Sequence, residues 1–224
     1  MLLLTNDDGI DAPGLQALHA AVGGRGAIVA PAEHQSGCSH QVTTGRSLRV
    51  EQRDRDRYAV SGLPADCVRV GLTHLYPDTS MVLSGINAGG NLGSDIFLSG
   101  TVAAVREAAL LGIPGIAISH YRQGDREFDW DWAMRMAVRV LEELTKRSLP
   151  PRSFWNVNFP HPHSPDEVPE FDFCEPCTQP LPVSYRIEGD EFHYTGRYSE
   201  RRRDAGADVD ACFSGRIAIS QVTF

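Results

Sequence analysis

The chain has no excess of positive charge. Its 21 Lys and Arg face 29 Asp and Glu, a formal net charge of −8. A general nucleic-acid-binding surface needs the opposite balance, because phosphate contacts carry so much of that affinity. A small phosphorylated substrate stays open, provided that a metal or backbone amides make its site locally positive. No run approaches the roughly 18 apolar residues of a membrane span. Leu2, Leu3 and Leu4 are too short a run for a secretory signal and lack its basic flank. A cytoplasmic protein without nucleic-acid or membrane partners is expected. Cysteine is scarce: Cys38, Cys67, Cys174, Cys177 and Cys212 are odd in number and widely spaced, which argues against a disulfide framework. Cys174-Glu-Pro-Cys177 is a lone CxxC with His161 and His163 upstream. Its spacing matches no standard zinc pattern, so reduced thiols are the expectation. GxGxxG, a P-loop and a nucleophile elbow are also missing. That removes the usual signals for a dinucleotide, a nucleoside triphosphate and a serine nucleophile. There is no internal repeat and no low-complexity tract.

What is there begins at the N-terminus. Leu2 to Leu4 read as a buried strand, and Asn6-Asp7-Asp8-Gly9 breaks it abruptly. In an open parallel sheet, ligands bind outside the carboxyl ends of the strands. Adjacent carboxylates there repel and resist desolvation unless a cation joins them, and a hard divalent metal prefers such oxygens. Asn, Asp and Gly are also ordinary turn residues, so this segment alone leaves both readings open.

The first two thirds alternate strand and helix signals. Strands are expected at Ala27–Ala30, Met81–Leu83, Gly115–Ser119, Phe154–Phe159 and Ile217–Val222. Helices are expected from Pro13 to about Gly23, over Thr101–Leu111 and over Trp130–Lys146. This alternation implies a mostly parallel α/β sheet with right-handed crossovers. With 224 residues and 42% hydrophobic content, one sizeable domain spanning residues 1–224 is expected. Three stretches depart from the rhythm. Ser47–Tyr58 reads as a surface hairpin, Pro160–Pro182 as a long irregular connection, and Tyr185–Tyr198 as a hairpin turning at Glu188-Gly189-Asp190. The last carries Tyr185, Ile187, Phe192, Tyr194 and Tyr198, residues suited to a subunit interface.

Three further polar clusters follow strands or open helices. His34-Gln35-Ser36-Gly37 comes after the second strand, and His40 flanks Ser36 on its other side. Ser36 has no base at a recognisable spacing and reads as a ligand. Either histidine could be a general acid, a substrate contact or a solvated loop residue. Asn87, Asn91 and the glycines between and after them form a loop whose backbone can approach a ligand closely. Its amides and carbonyl oxygens suit phosphate or a hard metal. Ser99-Gly100-Thr101 opens a helix, where free N–H groups bind anions. An ordinary N-cap is the competing reading.

In this order, the clusters resemble the SurE family (survival protein E), metal-dependent phosphatases that act as 5'- and 3'-nucleotidases. The resemblance covers nearly the whole chain through LLLTNDDGIDAPG, VAPAEHQSG, SGLPADCVRVGL, VLSGINAGGNLGSDIFLSGTVAAVREA, WNVNFP and GADVDACFSGRIAIS. It implies a Rossmann-like core with a C-terminal excursion that joins subunits, here the connection and hairpin within 160–200, giving a homodimer or homotetramer. It implies Asp7, Asp8, Ser36 and Asn87 as ligands of one divalent ion per subunit, Mg²⁺ or Mn²⁺. Asn91, Ser99, Gly100 and Thr101 are implied to hold phosphate, with Asp7 and Asp8 also catalytic. The implied activity is hydrolysis of nucleoside 5'-monophosphates, with 3'-monophosphates as a further candidate. A covalent aspartyl-phosphate on Asp7 and a nucleotide-binding module without turnover remain alternatives. The second loop departs from the usual pattern: Gln35 stands where the family commonly has Arg, and Cys38 follows Gly37. Gly62-Leu63-Pro64-Ala65-Asp66-Cys67-Val68 likewise replaces the common GTPTDCV. These changes bear on substrate preference.

Overall fold

A computed structural model describes residues 1–224. The elements run β1 (Leu2–Thr5), α1 (Pro13–Ala21), β2 (Ala27–Pro31), β3 (Val50–Asp54), β4 (Arg57–Val60), α2 (Pro64–Val70), β5 (Met81–Ala88), α3 (Asp95–Leu98) and α4 (Gly100–Leu110). They continue with β6 (Gly115–His120), α5 (Trp130–Leu144), β7 (Ser153–Phe159), β8 (Phe171–Phe173), β9 (Tyr185–Glu188), β10 (Glu191–Tyr194), α6 (Asp208–Phe213) and β11 (Ile217–Thr223).

Nine strands form one sheet in the order β3-β4-β2-β1-β5-β6-β7-β11-β8. The centre is parallel: β1 pairs with β2 and β5, and β6 with β5 and β7. Every residue of β2, β6 and β7 is buried, as strands covered by helices on both faces require. One face carries α1 and α5, whose Leu15, Leu18, Trp132, Met136 and Val140 join Leu4, Leu83 and Ile118 in one core. The other carries α2 and α4, whose Val68, Val102 and Val105 meet Leu3, Val29 and Val82. This is the Rossmann-like arrangement expected from the alternation, with β9 and β10 as a separate antiparallel ribbon.

Two expectations need correction. The hairpin near Ser47–Tyr58 belongs to the sheet: β4 pairs in parallel with β2, and Ala59 and Val60 are buried there. The connection after Pro160 is not wholly irregular, because β8 adds to β11 at the far edge. Also unforeseen are the short helices α2, α3 and α6, each too brief for apolar periodicity to show. A local signal did exist for α2, where Pro64 stands at the first position and Asp66 Oδ2 accepts from the Leu63 N–H at 2.9 Å.

The topology fixes where a ligand can enter. From β1 the chain goes to β2 on one side and later returns to β5 on the other. The carboxyl ends of β1 and β5 therefore flank a switch point, where a crevice opens. Asp7 and Asp8 follow β1, and Asn87 is the last residue but one of β5.

Candidate active site

The turn after β1 is built by its own side chains. Asn6 donates from Nδ2 to the Gly9 carbonyl at 2.8 Å, and Gly9 takes φ +103°, a conformation that favours glycine. The second loop is tied to this turn through backbone bonds. Ile10 N–H donates to Pro31 at 2.8 Å, and Gln35 N–H donates to the Asp7 carbonyl at 2.7 Å. Ser36 follows Gln35 directly in this tied loop. The same loop is fastened to the next element, since Ser39 donates from N–H to Leu98 at 3.1 Å and from its hydroxyl to Phe97 at 2.8 Å.

Asp7 is almost fully buried. Burial raises its carboxyl above the usual carboxylate range, a hydrogen bond from the Thr101 hydroxyl opposes that, and the neighbouring charge of Asp8 adds to the rise. Asp8 is more open. Its Oδ2 accepts from the Ala88 N–H at 3.0 Å, and its Oδ1 lies 3.4 Å from His34 Nδ1. Asn87 commits Nδ2 to the Gly89 carbonyl at 2.8 Å, so its carbonyl oxygen is the atom left to serve a ligand. Two adjacent carboxylates, one of them desolvated, with a hydroxyl and an amide oxygen on flanking loops make an all-oxygen donor set that suits a hard divalent cation. Gly100 keeps the space beside Asp7 clear: a Cβ there would lie 2.8 Å from Cys38 Sγ, 2.9 Å from Asp7 Cβ and 3.0 Å from Asp7 Oδ2.

The start of α4 divides its hydroxyls between two tasks. Ser99 is the N-cap, its Oγ accepting from the Val102 N–H at 3.1 Å. The Thr101 hydroxyl donates to Asp7 Oδ1. The Thr101 proton is thus committed to Asp7, whereas the Ser99 hydroxyl, which accepts here, keeps its own proton for a ligand, alongside the first N–H groups of the helix, which precede its internal hydrogen bonds. Asn91 is anchored in a buried amide cluster. Its N–H donates to Asn158 Oδ1 at 2.7 Å, its Nδ2 donates to Ser119 at 2.7 Å, and its carbonyl accepts from Asn156 at 2.8 Å and Asn158 at 3.0 Å. The two asparagines of WNVNFP thus hold the Gly-rich loop from beneath.

Several residues around the site escaped sequence reasoning. Glu107 on α4 joins His40 at 2.8 Å to Arg69 of α2 at 2.6 Å. Burial alone would raise its carboxyl, but His40 and Arg69 hold it below the ordinary range. Asp95 takes Arg201 Nη1 at 2.8 Å and the Tyr198 hydroxyl at 2.5 Å, while Asp208 accepts from the Gly93 N–H at 2.7 Å and the Cys177 N–H at 2.8 Å. This buried network pins the C-terminal excursion onto the Gly-rich loop. Its sequence signal is the pair of partly apolar aspartate segments SDIF and ADVD, which only a distant contact makes legible. Cys174 and Cys177 are not gathered with His161 or His163 into a cluster able to hold a metal ion.

The family model described as "Survival protein SurE" matches residues 2–181. A Nostoc sp. protein provisionally named a 5'-nucleotidase is 57% identical over 99% of this chain and 98% of its own length. The 5'-nucleotidase SurE 1 of Burkholderia lata is 37% identical over 100% of this chain and 90% of its own. The crystal structure of the SurE protein from Aquifex aeolicus superposes with a TM-score of 0.86 at 30% identity, covering 99% of this chain and 92% of that one. The paired carboxylates, the ordered loops around them and the shared fold agree: the chain belongs to the SurE family.

Proposed function

We propose that this protein is a metal-dependent phosphomonoesterase that hydrolyses nucleoside 5'-monophosphates, and 3'-monophosphates as a second class, to nucleoside and inorganic phosphate. The observation that carries this reading is the meeting of Asp7, Asp8 and Asn87 with the N-terminus of α4 across the β1/β5 crevice. The names of the SurE relatives point to the same activity.

Asp7, Asp8, Ser36 and Asn87 would hold one divalent ion, Mg²⁺ or Mn²⁺, which would supply charge neutralisation and Lewis acidity at a phosphoryl oxygen. The N–H groups of Gly100 and Thr101 take the remaining phosphoryl oxygens, aided by the helix dipole, and stabilise charge as it moves to the leaving oxygen. Asn91 keeps the Gly-rich loop in register with them. Asp7, clamped by Thr101, is a fixed ligand. Asp8 is the more open carboxylate and orients the attacking water. Both carboxylates are tethered by hydrogen bonds, which favours water attack over an aspartyl-phosphate. The second-loop changes at Gln35 and Cys38 leave the four candidate ligands in place.

The chain acts as one unit over 1–224, with 160–200 as its oligomerisation arm. β9 and β10 pair only with each other and expose Tyr185, Ile187, Phe192 and Tyr194. An isolated two-stranded ribbon is marginal in water, and this exposed aromatic face supports a homodimer or homotetramer. No helix is long and apolar enough to cross a membrane. We place the protein in the cytoplasm.

The direct test is phosphate release from a panel of nucleoside monophosphates with Mg²⁺, with Mn²⁺ and with EDTA. Release should require metal. Asp8→Asn should lower it about 10³-fold or more with an unchanged circular dichroism spectrum. Turnover that survives EDTA, or an Asp8→Asn variant of near wild-type activity, overturns the assignment.

A further inference from the structure

Two cavities lie along the carboxyl end of the sheet, beyond the metal-binding turn. One, of about 550 Å³, is lined at its inner end by Ala88, Gly89 and Gly90. The other, of about 510 Å³, lies further out beneath Phe213 and Gly215. Tyr121, Gly124 and Ser199 line both, so they form one trough. Its inner end abuts the candidate active site, because Ala88, which lines it, also bonds Asp8 through its N–H. Each volume alone falls within the roughly 300–1,000 Å³ of small-ligand pockets, so the trough is longer than a single nucleoside requires.

The trough differs in charge from the rest of the molecule. The chain carries a net −8, yet no carboxylate lines either cavity. Arg122 and Arg197 line the inner part, and Arg203, His161 and His163 the outer part. Arg122 and Arg203 make no ion pair; they lie over the rings of Phe128 and Phe213 at 5.9 Å and 5.0 Å. His161 is only 8% exposed, and its Nδ1 has no hydrogen-bond partner. Burial holds the His161 imidazole below its usual range, and the positive charge of Arg126 is the next cause, with His163 and Arg122 adding to it. Between the two cationic ends, Tyr121 stacks on Phe213 (4.6 Å, 22°) and on Tyr198 (6.2 Å, 29°). Aromatic faces beside unpaired guanidiniums suit a base and an anion in succession.

We infer that the outer cavity holds a second phosphate ester of the substrate, so that the preferred ligand is a nucleotide with one phosphoryl group at Asp7 and Asp8 and another against Arg203 and His161. This rests on the phosphomonoesterase reading above. The second phosphate can belong to the same nucleoside, as in a 3',5'-bisphosphate, or to the next residue of a 5'-phosphorylated dinucleotide. The Arg203 guanidinium at the far end is unpaired and weakly hydrated, a set of donors that no carboxylate of the chain satisfies, and His161 lines the cavity beside it. A 5'-monophosphate leaves that guanidinium idle.

The experiment uses the full-length protein with Mg²⁺ and compares kcat/KM for 5'-AMP, adenosine 3',5'-bisphosphate and 5'-phosphorylated diadenosine. One of the two-phosphate substrates should exceed 5'-AMP by about tenfold, chiefly through KM. Which one does so identifies the source of the second phosphate. Arg203→Gln and Arg122→Gln should each shrink that preference about fivefold or more. Both side chains are exposed, so neither change threatens the fold. In parallel, calorimetry in EDTA should show the preferred ligand binding to the wild type and more weakly to Arg203→Gln. Equal kcat/KM for all three substrates, or a preference that both variants retain, overturns the inference. Absence of any hydrolysis together with Arg203-dependent binding would instead remove the phosphomonoesterase reading and leave the trough standing.

Discussion

The acid stability of this protein should depend on His120. This residue ends β6, is wholly buried, and has no hydrogen-bond partner at either ring nitrogen. Phe128, Trp130, Trp132 and Phe159 surround it with ring centroids 5.1–6.3 Å away, and the His161 ring is 5.6 Å off. Burial is the main cause that pushes the His120 imidazole down to about 3, and His161 adds to it. An unfolded histidine titrates near 6.5. Below that pH the unfolded chain binds a proton that the folded chain excludes until about pH 3. The stability conferred by a neutral His120 is therefore present above pH 6.5 and lost on acidification. At one pKa unit per about 1.36 kcal/mol, the loss at pH 4.5 is about 2.7 kcal/mol. His120→Leu removes the proton site at similar volume. Urea unfolding of both proteins in EDTA at pH 7.5, 5.5 and 4.5 reads the difference. The wild type should lose about 2.7 kcal/mol more than the variant between the extremes. At pH 7.5 the variant should be as stable or more so, because two unpartnered ring nitrogens are gone. His161 and Asp129 remain in both proteins, so the difference isolates His120. Stabilities that fall in parallel, within about 0.5 kcal/mol, would refute the reasoning.

Three other outcomes are expected. Thr101→Val removes the hydroxyl that orients Asp7, so the metal concentration for half-maximal activity should rise about tenfold, more than the substrate KM does; a change confined to substrate KM would place that hydroxyl on the phosphate instead. Gly100→Ala is favourable for an isolated helix but drives a Cβ to within 3.0 Å of Asp7, so phosphate release should fall about tenfold or more while thermal stability changes little. Replacing Ile187 and Phe192 together by Asp should lower the mass measured by light scattering toward that of a monomer, and an unchanged mass would take the ribbon out of the interface.

Much of this protein is legible in its order of residues. Apolar runs closed by Asn-Asp, Pro or Gly mark the central strands, because a strand buried on both faces must be apolar throughout and a polar loop must follow it. β1, β2, β6 and β7 lie where those runs stand, and α5 where Trp132, Met136, Val140 and Leu144 recur at helical spacing. Asp7 and Asp8 stand out for the same reason: paired carboxylates at a strand end conflict with their surroundings unless a ligand resolves the conflict. What each polar group does there is decided by neighbours far along the chain. Thr101 reads as a phosphate contact until the fold sets its hydroxyl against Asp7, 94 residues away. Asn91 reads as a loop residue facing a ligand, and only the fold shows its backbone N–H and carbonyl held by Asn156 and Asn158. β5 reads as three residues ending at Ser84-Gly85, yet it continues to Ala88, because pairing with β6 carries it past a bulge that local preference takes for a stop. Sequence alone determines which segments must be buried and which groups need a partner, since both follow from local chemistry. Only the tertiary structure decides which partner each group receives, because hydrogen bonds and charge contacts form across whatever distance along the chain the sheet order brings together.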